Sequence, residues 1–192
     1  MYTWGYIKDA SLAKLDLTQE EANVMGLLNR FPFYANEVIT QISSSVKPKR
    51  EYWELSVSDT QVGTVLKLND AAFISFTDDI SVLNIDGIEE ECHDDVLEYV
   101  GYNAVICKVA GNYRIPYNAR WYTFSKTTLD NEVLPIPHDI LECIPSYIAH
   151  QCFKIDDEYK ASVYRNEYEM FVARIDDSRS VSTSTFKIGG DW

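Results

Sequence analysis

The sequence predicts an α+β fold in which N- and C-terminal helices form a helical bundle that carries an inserted, small antiparallel β module. Apolar residues recur at helical spacing over 18–47 and again over 137–175. Between them, residues 51–124 hold short runs rich in Val, Ile, Tyr and Thr, separated by turn pairs such as Asn69-Asp70. We expect extended arms at both ends of the chain.

The composition excludes several classes of function. The chain has 192 residues, 46% of them hydrophobic, which is enough for a sizeable core. Asp and Glu total 30 against 17 Lys and Arg, a net charge of −13. Such a surface argues against non-specific nucleic-acid binding but is compatible with a channel through which DNA slides. No run reaches the roughly 18 apolar residues of a membrane span, and no secretory signal pattern opens the sequence.

The N-terminal residues predict an arm followed by two helices. Residues 1–17 are rich in aromatic side chains and are expected to form an arm that docks on a partner, with Trp4 and Tyr6 as anchors. Thr18 and Glu21 have capping-box spacing, which predicts a helix start at this point. Pro32 predicts a break in the helical stripe near Phe31 and a second helix that begins at Pro32.

The middle of the chain predicts a small sandwich or barrel. Its strand-like runs are short and regularly spaced, as in small all-β modules. The expected strands cover residues 52–57, 62–68, 72–76, 80–85, 96–100, 105–109 and 113–124.

The last third predicts a helical hairpin and then a second arm. Pro145 suits the first turn of a helix, and Asp156 and Asp157 are placed to cap the helix that follows. Residues 176–192 are Ser/Thr-rich with apolar anchors, a pattern that suits strand addition to a neighbour. These anchors are Val181, Phe186, Ile188 and Trp192.

An acidic block between Asp78 and Glu98 contains no Lys or Arg. Its spacing does not match a calcium loop, so we expect a solvated face, and in a ring this face could line a channel. The channel-lining candidates are Asp78, Asp79, Glu89, Glu90, Glu91, Asp94 and Asp95.

Catalytic patterns are missing from the sequence, which predicts a protein that is not an enzyme and needs no metal or cofactor. Cys92-His93, His138 and the pair His150 and Cys152 lack the spacing of zinc or nucleophile motifs, and we expect structural roles for the histidines. A hydrolase using paired carboxylates of the acidic block is a weaker alternative. Reduced thiols in a cytoplasmic environment are expected for the four cysteines.

An aromatic run in the β module leaves two readings open. Such rings stack on sugars when exposed, which makes a carbohydrate- or surface-binding module an alternative function, but aromatic rings more often form a β core or an interface. The run comprises Tyr113, Tyr117, Trp121, Tyr122 and Phe124.

Two segments carry a resemblance to a known family. The first 45 and last 55 residues resemble head–tail connector (adaptor) proteins from the neck of tailed bacteriophages. The resemblance is carried by Tyr6-Ile7-Lys8-Asp9 through Ala13-Lys14-Leu15, by Ile144-Pro145-Ser146-Tyr147-Ile148-Ala149, by Asp156-Asp157 and Ala161, and by Arg165-Asn166-Glu167-Tyr168-Glu169.

The resemblance implies a structural virion protein made in the host cytoplasm. Such a protein forms an oligomeric ring, commonly of twelve subunits, that docks beneath the portal protein, extends the DNA channel and receives tail or stopper proteins. DNA passes through without specific binding, and no membrane is involved. A minor capsid, collar or tail-terminator role could use the same parts.

Overall fold

The α+β fold class is confirmed by the computed structural model, which describes residues 2–77, 81–83, 89–91 and 96–182. The chain divides into two compact units. One, which we call the helical unit, combines Met1–Lys47 with Tyr122–Trp192; the other, the β unit, is the segment Pro48–Trp121. The β unit is therefore inserted between two parts of the helical unit.

The described residues of the helical unit contain five α-helices. These are α1 (Trp4–Leu15), α2 (Gln19–Val24), α3 (Phe31–Gln41), α4 (His138–Phe153) and α5 (Glu158–Ser182). A π-helical turn, Ile42–Val46, continues α3.

Helix α1 corrects the expectation of an extended N-terminal arm over residues 1–17. Thr3 caps the helix by accepting the amide of Tyr6 at 3.2 Å, and one side of α1 is buried. The buried apolar side chains are Trp4, Ile7, Leu12 and Leu15. Their spacing places them on one broad helix face, so burial of that face favours a helix over an arm.

The start of α1 is tied to a segment far along the chain. The amide of Gly5 donates to the carbonyl oxygen of Asp130 at 2.8 Å, and Thr3 forms a β-bridge with Val133. A Cβ added at Gly5 would lie 2.9 Å from that Asp130 oxygen, which is closer than such contacts normally come. Glycine therefore permits this approach.

The next two helices follow the sequence prediction. Thr18 and Glu21 form the expected reciprocal capping box at the start of α2. The chain then leaves helical structure, and α3 begins at Phe31 with Pro32 in its first turn, where the missing N–H costs nothing.

The predicted C-terminal hairpin is confirmed as α4 and α5, with two corrections. Pro145 lies inside α4 and is buried, so packing of the apolar face outweighs the lost backbone hydrogen bond. Helix α5 continues to Ser182, so the first seven residues of the expected extended arm, 176–182, are helical. Asp157 caps α5 as expected, accepting the Lys160 amide at 2.9 Å.

The described strands of the β unit form two small sheets and a hairpin, and do not close into a barrel. One three-stranded antiparallel sheet has the order β1-β8-β3 and the other β2-β7-β6, while β4 pairs with β5. The strands are β1 (Lys49–Val57), β2 (Val65–Lys67), β3 (Phe73–Phe76), β4 (Ser81–Leu83), β5 (Glu89–Glu91), β6 (Leu97–Val100), β7 (Ala104–Cys107) and β8 (Gly111–Ala119).

Pairing of β1 with β8 closes the base of the β unit. Lys49 is opposite Ala119 at one end of the ladder and Val57 is opposite Gly111 at the other. Inward-facing residues of both sheets form the core, and its fully buried centre includes Val105 and Ile115.

Candidate interaction surface of the helical unit

Two of the three described thiols, both on α4, are poorly suited to nucleophilic chemistry. Burial raises the pKa of the Cys143 thiol to about 12, and nearby Asp139 and Glu142 act in the same direction. Burial also raises the pKa of Cys152 to about 11. Because the thiolate is the reactive form, both groups are almost entirely protonated at neutral pH.

The two described histidines make contacts within the helical unit. Nδ1 of His150 lies 2.9 Å from the carbonyl oxygen of Ala161, linking α4 to α5. The ring of His138 stands edge-on to that of Tyr2 at 4.9 Å. Cys92 and His93 lie outside the described residues.

Within the described residues, no group of three or more His, Cys, Asp or Glu side chains is arranged to hold a metal ion. None of the helices described is both long and apolar enough to cross a membrane.

The anchors predicted at the N-terminus fall in different environments. Trp4 is only 3% exposed and packs on Phe124 with ring centroids 4.6 Å apart, so it belongs to the core and not to a partner contact. Tyr6, two residues on, is 52% exposed and stays a candidate for a partner contact. The prediction did not separate the two because it treated the segment as extended.

Most of the remaining predicted contact residues lie outside the described part of the chain. Val181 lies on the last turn of α5, whereas Phe186, Ile188 and Trp192 are not among the described residues. Of the channel-lining candidates, Glu89, Glu90 and Glu91 form β5 and pair with β4. The others, Asp78, Asp79, Asp94 and Asp95, also fall outside the described residues.

The aromatic run of the β module does not form an exposed patch. Tyr113, Tyr117 and Phe124 are buried. The Tyr113 hydroxyl donates to the carbonyl oxygen of Val109 at 2.5 Å, so the ring serves the core of the β unit. These three rings therefore have the core role that the sequence favoured, and a buried ring cannot cover a sugar, while Trp121 and Tyr122 are half-buried.

Tyr117 forms a partly buried hydrogen bond that perturbs the pKa of a carboxyl group. Its hydroxyl donates to Oδ2 of Asp70 at 2.6 Å, and the amide of Ala72 donates to Oδ1 at 2.8 Å. The Tyr117 hydrogen bond is the main cause that holds the pKa of Asp70 below its usual range. Burial raises the pKa of Tyr117, so the phenol stays protonated and remains a donor.

Helix α5 has two different faces. Ala161, Tyr168 and Ile175 are buried against the rest of the helical unit. The opposite face carries large apolar side chains that are exposed: Tyr159 at 78%, Val163 at 46% and Met170 at 57%. The helical spacing over 137–175 predicted one buried stripe per helix. The spacing of Tyr159, Val163 and Met170, four and seven residues apart, was the sequence signal for a second apolar stripe on α5.

A groove of about 420 Å³ lies between the end of α3, α4 and α5. The Tyr168 hydroxyl donates to Oε1 of Gln41 at 2.9 Å beneath it, and the Tyr147 hydroxyl donates to Oε2 of Glu37 at 3.1 Å. These bonds join three helical segments, so the two phenols serve the packing of the helical unit.

A second groove of about 270 Å³ follows α1 where it meets α4 and α5. Nζ of Lys14 lies 2.8 Å from both carboxylate oxygens of Glu167, and the Tyr164 hydroxyl donates to the Lys14 carbonyl oxygen at 2.7 Å. The half-exposed ring of Tyr6 stands at the edge of this groove. The described surface of the helical unit thus offers apolar contact area along α5 and at the edge of this groove.

Comparison with known proteins yields no match to any protein-family model and no match to any curated protein sequence.

Proposed function

We propose that this protein is a structural virion component of a tailed bacteriophage, a head-to-tail adaptor. In this proposal, copies form a ring, of twelve subunits in the family it resembles, between the portal protein and the tail or stopper proteins. The ring extends the DNA channel at the neck of the virion. DNA passes without specific contacts, which the net charge of −13 favours through repulsion.

The observation that carries this proposal is the α4–α5 hairpin with its exposed apolar face. Two of the segments that resemble connector proteins, Ile144–Ala149 and Arg165–Glu169, lie on this hairpin. Monomeric proteins rarely present a row of large apolar side chains to water, and such rows commonly mark contacts with other chains. An assembling subunit needs contacts of this kind.

Cross-linking mass spectrometry on intact particles tests the proposal. Lysine-reactive reagents should connect Lys8 or Lys14 on the helical unit, or Lys187 near the C-terminal end, to a portal protein, a tail component or a second copy. Particles that lack this chain, or cross-links restricted to the outer surface of the capsid, would overturn the adaptor role.

Deletion of residues 183–192 provides a second test, because three of the four apolar anchors of the expected arm lie there: Phe186, Ile188 and Trp192. We expect particles without this segment to fail in joining heads to tails, while the helical unit keeps its fold. A Trp192→Ala variant should impair joining more than a Ser184→Ala variant, since large aromatic side chains dominate contact energies. Normal joining in the deletion variant would contradict an anchoring role.

One feature favours a second candidate function, a ligand-binding role for the β unit. A cleft of about 440 Å³ lies between β3 and the end of β6, bordered by Phe76, Tyr99 and Tyr102. The rings of Phe76 and Tyr99 lie 4.7 Å apart, and Tyr102 is exposed. Aromatic clefts of this size accept saccharides or peptide side chains. A glycan-array screen of the protein and a Tyr102→Ala variant would test this role; binding unaffected by the variant would count against the cleft.

A further inference from the structure

The exposed face of α5 has the spacing of a coiled-coil seam. Its residues follow intervals of four, three, four and three, which keep them in line along one side of a helix. We call this set the outer seam: Tyr159, Val163, Asn166, Met170 and Ala173, all exposed.

The outer seam lies opposite the part of α5 that packs inside the helical unit. Ala161 and Tyr168 lie on the opposite side of α5 and are buried. The Tyr164 hydroxyl contacts α1. The fold of one copy therefore uses the inner face of α5 and leaves the outer seam in contact with solvent. The outer seam runs from Tyr159 to Ala173, which is slightly more than two heptads of this 25-residue helix.

The two sides of the outer seam differ in charge. One flank carries Lys160, Glu167 and Arg174, but Glu167 is neutralised by Lys14 at 2.8 Å, which leaves this flank cationic. The other flank carries Ser162 and Glu169. Glu169 pairs with Arg165 of the same helix at 2.8 Å, but both side chains are more than half exposed, so this ion pair is weak and the flank stays polar and anionic. Both Glu169 and Arg174 are exposed, so each is accessible to a second chain.

We infer that the outer seam binds the outer seam of a second copy of this chain, with the two α5 helices parallel and in register. In a parallel pair, a residue on the flank of Ser162 and Glu169 faces the residue five positions further along the partner helix. Glu169 then faces Arg174 of the second copy, which is an attractive contact. A contact between equivalent seams is isologous and joins copies two by two, so this inference goes beyond the proposed ring, whose neighbours must meet head-to-tail through other surfaces.

An antiparallel pair is disfavoured by the same charges. In that orientation equivalent flanks meet, so the cationic flank with Lys160 and Arg174 faces its own copy, and Glu169 faces the anionic flank. Like charges placed side by side weaken association. The parallel, in-register pair also places Asn166 beside Asn166 of the second copy, where two amides hydrogen-bond to each other and a shifted register would leave each against apolar groups.

A charge-reversal cycle tests the pairing. The purified full-length chain and its Glu169→Arg, Arg174→Glu and doubly reversed variants are compared by sedimentation velocity over a range of concentrations. We expect each single reversal to weaken self-association by roughly tenfold, because an attractive contact becomes repulsive, and the double reversal to restore it. An Arg165→Gln variant is the control, because Arg165 pairs with Glu169 within α5 at 2.8 Å and its loss leaves the flank charge on Glu169 in place.

Cysteine cross-linking tests the orientation. Copies that carry Met170→Cys should form a disulfide between equivalent positions under mild oxidation, since position 170 of one helix faces position 170 of the other in a parallel, in-register pair. A mixture of Val163→Cys and Met170→Cys copies should yield mainly the two like-with-like products. The unmodified chain under the same oxidant gives the background from the native cysteines.

The results separate this inference from the proposed function. Self-association that is indifferent to the charge reversals, or a dominant 163–170 cross-link, would overturn the parallel α5 pair while leaving an adaptor role intact. Failure to detect any like-with-like cross-link at the highest concentration reached would also overturn it. An adaptor role fails instead when particles lack the chain, whatever the purified protein does. Far-UV circular dichroism confirms that each surface variant keeps its helical content.

Discussion

Asp157 holds the first turn of α5 through one side-chain hydrogen bond. It accepts the amide of Lys160 at 2.9 Å, and loss of such a cap costs about 1 kcal/mol. We expect Asp157→Ala to lower the free energy of unfolding by about that amount, whereas Asp157→Asn, which keeps an acceptor oxygen, should lose less. Denaturant unfolding followed by far-UV circular dichroism measures both.

The neighbouring carboxylate supplies a matched control. Asp156 is exposed and precedes the cap, so Asp156→Ala should leave stability within roughly 0.5 kcal/mol of the original value. Equal losses of unfolding free energy in the two alanine variants would show that the Asp157 cap does not stabilise α5.

The hydrogen bond between Tyr117 and Asp70 makes the stability of the β unit depend on pH in the acidic range. The hydrogen bond from Tyr117 lowers the folded-state pKa of Asp70, so the contribution to stability is fully present above the unfolded-state pKa of about 4. It is lost as the pH falls from that value through the folded-state pKa. We expect Tyr117→Phe to raise the carboxyl pKa of Asp70 toward its usual value, measured by NMR titration of the side-chain carbon. An unchanged Asp70 pKa in this variant would rule out the Tyr117 hydrogen bond as the cause.

At the scale of elements, the packing of α1 gives different burial to two aromatic residues that lie two positions apart, Trp4 and Tyr6. Trp4 is buried against Phe124, and replacing such a side chain with alanine typically costs about 3–5 kcal/mol. Tyr6 is half exposed, so Tyr6→Ala should cost much less, roughly 0.5 kcal/mol. Thermal unfolding of the two variants measures the difference. Similar, small losses would mean that α1 contributes little to the core and acts as the docking arm that the sequence predicted.

Elements encoded by local chemistry were predictable from the sequence. The capping box of Thr18 and Glu21 and the helix start at Pro32 depend on neighbours a few residues away, and both are confirmed. The buried stripe of α5, including Ala161 and Tyr168, follows from helical spacing alone.

Elements that depend on distant partners were not predictable. Helix α1 packs on residues more than a hundred positions later, so the segment looked like an arm. Pro145 was expected in a first turn because its tertiary packing, which compensates for the lost hydrogen bond, leaves no local signal. Strand β5 consists of three glutamates, a residue type that strands disfavour, and only pairing with β4 identifies it. The spacing of the outer seam is present in the sequence, but it was not predicted, because a single buried stripe was enough to predict the helix.

At the scale of the whole molecule, the β unit is an insertion whose two ends meet. Lys49 is opposite Ala119 in the β1–β8 ladder, and the Cα atoms of such pairs lie about 5 Å apart. A short Gly/Ser linker can therefore replace residues 48–121. We expect the shortened helical unit and the isolated segment 48–121 each to unfold cooperatively, as measured by calorimetry. Loss of cooperative unfolding in both pieces would show that neither unit has an independent core.

The tie between Gly5 and Asp130 also has a consequence for biosynthesis. Ribosomes add roughly 5–20 residues per second, so the apolar face of α1 leaves the ribosome several seconds or more before residue 130 exists, and before α4 can cover that face. During this interval Ile7, Leu12 and Leu15 have no native surface to pack on. Chaperone binding to the nascent chain should therefore be strongest before α4 has emerged and should decline once it has.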